Sequence, residues 1–87
     1  MEDADRPVRR DGLETNDVAD GCVVYDSEGD RVHYLNGTAA IVFELCTGDV
    51  SVDEMTAFLQ RAFELDEPPR EETRECLARL RAEGLLR

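Results

Sequence analysis

The first part of the chain alternates short apolar runs with polar turns, a pattern typical of β-strands. A β-branched and aromatic run at 22–25 ends at an acidic, glycine-containing turn, and a second run at 31–35 follows directly. Two such runs joined by a short turn predict a β-hairpin. A weaker strand is predicted at Leu13–Val18. The stretch 1–12 is polar and lacks apolar periodicity, so it predicts a disordered N-terminal tail.

The hairpin is followed by an almost continuous apolar run. Asn36 stops the second strand and is a preferred N-cap, so a helix is predicted from the next residue through Cys46. Apolar residues occupy most positions of this segment, which indicates a central, largely buried helix. Gly48 is well placed to end the helix because glycine favours the positions just after a helix.

Two more helices complete the pattern. Ser51 and Glu54 have the spacing of a capping box, and apolar residues follow at helical intervals up to Phe63. A last helix is predicted from about Arg70 to Glu83. Antiparallel strands followed by helices predict one α+β domain at 13–87, with a three-stranded sheet, three helices and a winged helix-turn-helix-like order.

Charge is the strongest global property of the chain. Its 87 residues suffice for one domain, and they carry 21 acidic against 10 basic side chains, a formal net charge of -11. Every basic residue is arginine. Phosphate backbones and anionic lipids are bound through Lys and Arg, so neither nucleic acid nor a membrane surface is expected as a partner.

The cysteines and the single histidine do not form a pattern typical of a disulfide, metal or catalytic site. Cys22, Cys46 and Cys76 are widely spaced and form no CxxC or Cys/His pair, so neither a disulfide framework nor a zinc site is predicted. His33 has no nucleophile or ligand at a motif spacing, and no phosphate-binding loop is present. No apolar run is long enough for a signal peptide or a membrane span. We therefore expect a cytoplasmic protein without a cofactor, a metal or an enzymatic activity.

The stretch from Tyr34 to Gly48 carries a family resemblance. It contains a strand ending in Leu35-Asn36, a small-residue step, an apolar helix and then glycine. In this it resembles the family of the pyrroloquinoline quinone biosynthesis protein D, whose members serve as recognition elements for ribosomally synthesised and modified peptides. The later helices fit that family by pattern, and the resemblance extends over 22–86.

The resemblance implies a non-catalytic peptide-binding task. In such domains the leader of a precursor peptide joins the sheet as an extra strand beside the third strand, over a groove bordered by the third helix. The implied partners are that leader and a peptide-modifying enzyme such as a radical-SAM protein, a cyclase or a leader peptidase. The resemblance leaves the dimer state open, together with the register of the first strand, which is weakly defined.

The third strand and the last helix supply the candidate contacts. The strand contains no proline, so it lacks one common device that blocks a sheet edge, although an ordinary paired strand would have the same sequence. The residues expected to contact the leader are Arg31, Val32, His33, Tyr34 and Leu35 on the strand, and Arg70, Thr73, Arg74, Cys76, Leu77, Leu80 and Arg81 on the helix.

Charges divide the last helix into two flanks. At about 100° per residue, Arg70, Arg74 and Arg81 gather on one flank, while Glu72 and Glu83 lie on the other. The arginines are candidates for pairing with acidic leader side chains, because guanidinium groups bind carboxylates as forked donors. The plainer interpretation is a solvated face with exposed ion pairs.

The order of elements also permits a second function. A winged-helix transcriptional regulator would have the same arrangement of strands and helices. Such a protein normally presents a basic recognition helix to DNA. The helix that begins after Ser51 contains one arginine against Asp53 and Glu54, and the whole chain is strongly acidic. DNA binding therefore remains the alternative, behind peptide binding.

Overall fold

A computed structural model describes residues 2–87 and contains three strands followed by three helices. The strands form one antiparallel sheet in the order β1-β2-β3. The elements are β1 Leu13–Val18, β2 Gly21–Asp26, β3 Arg31–Asn36, α1 Gly37–Leu45, α2 Val52–Ala62 and α3 Arg70–Ala82. The predicted α+β class is confirmed, and the order of elements is compatible with a winged helix.

One face of the sheet packs against the helices. On β2, Cys22 and Val24 are buried while their neighbours are partly exposed, as a strand with one covered face requires. Cys22 pairs with Leu35 and Val24 pairs with His33 on β3. Paired residues of adjacent strands point to the same face of a sheet. Leu35 and His33 are therefore the side chains that β3 directs towards the helices.

Both N-caps predicted from the sequence form. The Asn36 side chain accepts a hydrogen bond from the Ala39 N–H at 3.0 Å and begins α1. Ser51 and Glu54 make the reciprocal bonds of a capping box at the start of α2. The hydrogen bond that the Ser51 backbone donates lowers the pKa of Glu54 from its usual value. These bonds satisfy amide groups that the first turn of a helix leaves without an internal partner.

The hydrophobic core lies between the sheet and the helices and includes the C-terminal residues. Its buried members are Cys22, Val24, Leu35, Val42, Phe43, Cys46, Val52, Met55, Leu59, Leu77, Leu80, Leu85 and Leu86. Ala39, Ala40, Ile41 and Leu45 of α1 are partly buried against them, so this helix is less covered than its composition predicted. Part of α1 therefore remains free to line a surface groove.

The N-terminal segment differs from the disordered tail expected from its sequence. Pro7 is buried, and Val8 and Arg9 form isolated β-bridges with Thr47 and Leu86. The Asp5 carbonyl accepts a hydrogen bond from the first amide of α2. Backbone pairing of this kind depends weakly on side-chain type, which is why the polar composition did not reveal it. This segment joins the end of α1, the start of α2 and the C-terminus.

A buried carboxylate joins the N-terminal segment to the β2–β3 hairpin. The Arg10 guanidinium lies 2.6 Å from an Asp26 oxygen and also donates to the Gly84 carbonyl at 2.7 Å. The other Asp26 oxygen accepts hydrogen bonds from the Glu28 and Gly29 amides in the hairpin turn. The hydrogen bond from Arg10 is the main reason that the pKa of Asp26 lies below its usual 3.8.

This arrangement makes stability depend on pH. As the pH falls through 3.8 the unfolded chain protonates Asp26, whereas the folded chain, whose Asp26 pKa is lower, takes up this proton only at a lower pH. The contribution of Asp26 to the free energy of unfolding is therefore fully present above pH 3.8, and it is lost as the pH falls through the pKa of the folded state. We expect Asp26→Asn to lower the urea midpoint at neutral pH and to flatten its decline in acid. Asp17→Asn, at an exposed position of β1, should change neither property; equal pH profiles for wild type and Asp26→Asn would contradict the prediction.

Candidate functional site

β3 is an edge strand of the sheet. It pairs with β2 along its whole length, and no other described strand pairs with its opposite side. The strand contains no proline, so each of its residues keeps an amide N–H. Unpaired N–H and C=O groups along a strand are a template for an added strand.

The direction of the backbone groups on β3 follows from its contact with Gly21. A Cβ added to Gly21 would lie 1.9 Å from the Leu35 carbonyl oxygen, so that carbonyl points towards β2. Backbone groups of successive residues in an antiparallel pair alternate in direction. The N–H and C=O groups of Val32 and Tyr34 therefore point to the free edge. By the same alternation, the backbone groups of Thr15 on β1 point to the opposite free edge.

A groove of about 380 Å³ lies beside β3, between the end of this strand, the start of α1 and α3. Its apolar surface comes from Leu35, Ala39, Cys76 and Leu80. Leu35 and Leu80 are buried core residues, whereas Cys76 and Ala39 are partly exposed. The groove therefore has a rigid floor that belongs to the core and a size suited to one or two side chains.

The rim of the groove is acidic. It is lined by three carboxylates of α3 and its C-terminal cap, Glu72, Glu75 and Glu83, and by a single cationic residue, Arg79. The four residues recur at helical intervals, so they form one flank of α3 and its C-terminal cap. Carboxylates on this flank create a negative potential over the apolar floor.

His33 lies on the helix-facing side of β3 and is mostly buried. Its Nδ1 atom is 3.7 Å from a Glu83 oxygen, which is too long for a hydrogen bond. Its Nε2 atom is the only buried side-chain nitrogen or oxygen in residues 2–87 without a hydrogen-bond partner. Leaving such a group unpaired costs about 1–3 kcal/mol. The imidazole therefore has hydrogen-bonding capacity that the domain itself does not use.

The thiols near the groove are poor nucleophiles. Burial raises the pKa of Cys76, which lines the groove, above its usual value. Burial also raises the pKa of the core residue Cys46 to about 12. Both cysteines are therefore protonated at neutral pH. Since the thiolate is the reactive form of a cysteine, both have low reactivity. The groove thus provides apolar contact surface and no activated sulfur.

The structure brings part of the predicted contact set together. Tyr34, Leu35, Cys76 and Leu80 line the groove. Arg31, Val32 and His33 lie on the same strand, and the Val32 side chain is 67% exposed on the sheet face opposite the helices. An added strand beside β3 would contact the backbone of this whole segment.

Two predicted contact residues belong to the core instead. Leu77 has 0% of its surface exposed and Thr73 has 1%. The Thr73 hydroxyl donates to the Pro69 carbonyl at 2.6 Å, which satisfies it within the first turn of α3. Neither residue lines the groove, so both support the helix from its inner side.

The three arginines of α3 that the sequence predicted as contact residues lie away from the groove. Arg70 pairs with Asp53 at 3.0 Å, and Arg74 pairs with Asp3 of the N-terminal segment. At about 100° per residue, Arg74 is rotated roughly 160° from the groove residue Glu72. Arg81 is on the same flank as the other two arginines and is exposed. Arg70 and Arg74 therefore attach α2 and the N-terminal segment to α3.

Sequence reasoning missed several groove residues. They are Asn36, Thr38, Ala39, Glu72, Glu75, Arg79 and Glu83. A signal for the acidic members was present, since Glu72 and Glu83 were already placed on the flank opposite the arginines. That pattern did not reveal which flank faces β3, because only packing decides how a helix is rotated against a sheet.

Two features typical of other functional classes are absent from residues 2–87. No group of three or more His, Cys, Asp or Glu side chains in this range is arranged to hold a metal ion. Within the same range, no helix combines the length and apolar character needed to cross a bilayer.

Comparison with protein-family models identifies the relationship of this chain. A match to coenzyme PQQ synthesis protein D (PqqD) extends over residues 21–86, which include β2, β3 and the three helices. Comparisons with curated proteins and with solved structures find no match. Because the family model covers most of the chain, including the edge strand and the groove, the protein belongs to the PqqD family.

Proposed function

We propose that this protein binds the leader of a ribosomally synthesised precursor peptide and presents it to a modifying enzyme. Membership of the PqqD family supports a role in the biosynthesis of PQQ or of related modified peptides. Members of this family are non-catalytic accessory proteins that work with biosynthetic enzymes. The observation that carries the proposal is the free edge of β3 beside an apolar groove.

In strand addition the peptide is recognised through both its backbone and its side chains. The outward N–H and C=O groups of Val32 and Tyr34 would pair with the peptide backbone, which gives affinity with little dependence on sequence. Alternate side chains of the added strand point to one face. Those on the helix side would reach Cys76 and Leu80, so the groove selects among peptides.

The opposite edge of the sheet, formed by β1, is less suited to peptide binding than β3. Apart from the partly buried Leu13, every residue of β1 is exposed. The depression that Leu13 and Thr15 share with Phe43 of α1 is also lined by Arg9 of the N-terminal segment, whose guanidinium lies over the Phe43 ring. A peptide on β1 would gain backbone pairing but little apolar contact, because the Phe43 and Cys46 side chains of this depression are buried. Exposed pairing alone contributes little net free energy, since water competes for the same groups. β3 combines both contributions.

Charge argues against the DNA-binding alternative. A winged-helix DNA reader normally presents a basic recognition helix, whereas α2 has Asp53 and Glu54 in its first turn and a single arginine, Arg61, in its last. A net charge of -11 would repel the phosphate backbone, whose neutralisation supplies most of the affinity in such complexes. Peptide binding is the function favoured by the geometry and the charge together.

The proposal predicts the effect of a proline in β3. Val32→Pro removes an N–H that points to the free edge while the pairing of β3 with β2 is kept. We expect it to weaken binding of the precursor leader by about tenfold or more, the equivalent of about 1.4 kcal/mol. Calorimetric titration measures the affinity, and amide shift mapping on the labelled domain locates the peptide.

Thr15→Pro is the matched control, because it removes an outward N–H from the opposite edge of the same sheet. It should leave the affinity within about twofold of wild type. Circular dichroism tests whether both variants remain folded. If a folded Val32→Pro protein binds as wild type does, or if peptide-induced shifts fall on α2 and spare β3 and α3, strand addition at this edge is wrong.

A further inference from the structure

The charge around the groove opposes the polarity that the arginines of α3 suggested for the ligand. Three carboxylates, Glu72, Glu75 and Glu83, line the groove against the single guanidinium of Arg79. All four side chains come from α3 or its cap, on the flank that faces β3. An acidic peptide laid along this edge would bring like charges together, which is unfavourable at close range.

Two of the three other cations of α3 pair with carboxylates of the domain itself, and the third, Arg81, lies on the same flank as these two. Arg70 is 3.0 Å from Asp53 and also lies within 3.7 Å of Asp3, and Arg74 donates a hydrogen bond to Asp3. These ion pairs attach the N-terminal segment and α2 to α3. Arg70 and Arg74 are therefore neutralised by internal carboxylates and lie away from the groove, while the glutamate flank faces it.

We infer that the peptide bound along β3 is cationic, with an apolar residue seated in the groove between lysine or arginine side chains that face the glutamates. This inference rests on the proposed function and specifies the chemistry of its ligand. The apolar residue contacts Cys76 and Leu80, and the basic residues contact Glu72 on one side and Glu83 on the other.

The spacing of the groove residues fits a strand with this pattern. Glu72 and Glu83 are eleven residues apart, which is about 16 Å along a helix. On an extended peptide, the residues two before and two after a central anchor are about 13 Å apart and share its face. Lysine and arginine side chains are long and flexible enough to cover the remaining distance. One apolar anchor with basic residues at both flanking positions therefore matches the groove.

The test uses two synthetic peptides of about ten residues, long enough to extend past the six residues of β3. Both have a central leucine within a threonine- and valine-rich strand sequence, with either lysine or glutamate two positions before and after it. We expect the lysine peptide to bind at least about fivefold more tightly than the glutamate peptide, and this preference to fall with added salt. Amide shifts should map the lysine peptide to β3 and α3.

Charge variants separate the groove from the general acidity of the domain. Glu72→Lys combined with Glu75→Lys should abolish or reverse the preference. Glu14→Lys combined with Glu44→Lys makes the same change in net charge at exposed positions outside the groove, and should keep the preference. A preference lost equally in both double variants would overturn the inference, because it would then reflect net charge alone.

The remaining outcomes distinguish this inference from the proposed function. If the glutamate peptide binds as tightly as the lysine peptide, and Val32→Pro weakens both, the cationic ligand is wrong while strand addition stands. If neither peptide perturbs β3 or α3, the inference is overturned, and titration with the precursor leader alone decides the proposed function. A leader that binds β3 through acidic residues facing the groove would also overturn it.

Discussion

Leu77→Ala is expected to lower the free energy of unfolding by about 2–5 kcal/mol. The side chain is completely buried in the core beneath α3, so its truncation removes apolar contacts and leaves a cavity. Domains of this kind are stable by roughly 5–15 kcal/mol, so the loss is a large fraction of the total. Urea denaturation monitored by circular dichroism measures it. Arg81→Ala, one turn further along the same helix and exposed, should change the value by less than about 0.5 kcal/mol.

The same variant tests the placement of Leu77 relative to the groove. The sequence predicted that this residue contacts the peptide, whereas the structure has it on the inner side of α3. In the folded fraction, Leu77→Ala should therefore bind the leader with an affinity within about twofold of wild type. A large loss of affinity with little loss of stability would contradict this assignment and return Leu77 to the binding surface.

Removal of residues 1–9 is expected to destabilise the domain by about 2–4 kcal/mol. The amides of Val52 and Asp53 would lose the Asp5 and Asp3 carbonyls that accept their hydrogen bonds at the start of α2. The isolated bridges to Thr47 and Leu86 would also be lost. The net cost is smaller than the sum of the broken bonds because water replaces them and the shorter chain has less entropy to lose.

The measurement is the thermal and urea unfolding of the truncated chain beside that of full-length protein. Arg9→Ala is the control, since it keeps every backbone bond of the segment and removes only a guanidinium placed 5.6 Å from the centre of the Phe43 ring. Its cost should stay near 0.5–1 kcal/mol, roughly the value of an exposed cation–π contact. A truncated chain as stable as the full-length protein would show that the segment is the disordered tail its composition suggested.

Local patterns in the sequence determined the elements of this fold. The hairpin of β2 and β3, the Asn36 cap and the capping box of Ser51 and Glu54 all depend on residues close to one another in the chain. Local hydrogen bonding and apolar periodicity act over the same short range, so they can be recognised without knowing the tertiary structure. The α+β class follows from the order of these elements.

Tertiary structure alone decided which surfaces meet. The sequence divided α3 into an arginine flank and a glutamate flank, but the rotation of that helix is set by the burial of Leu77 and Leu80 where α3 packs against α1 and α2. That rotation directs Glu72 towards β3 and Arg74 towards the N-terminal segment. The segment itself is ordered by backbone hydrogen bonds to residues more than thirty positions away. Such contacts are nearly independent of side-chain type, so local sequence carries almost no signal of them, and only the packed chain reveals the charge of the groove beside β3.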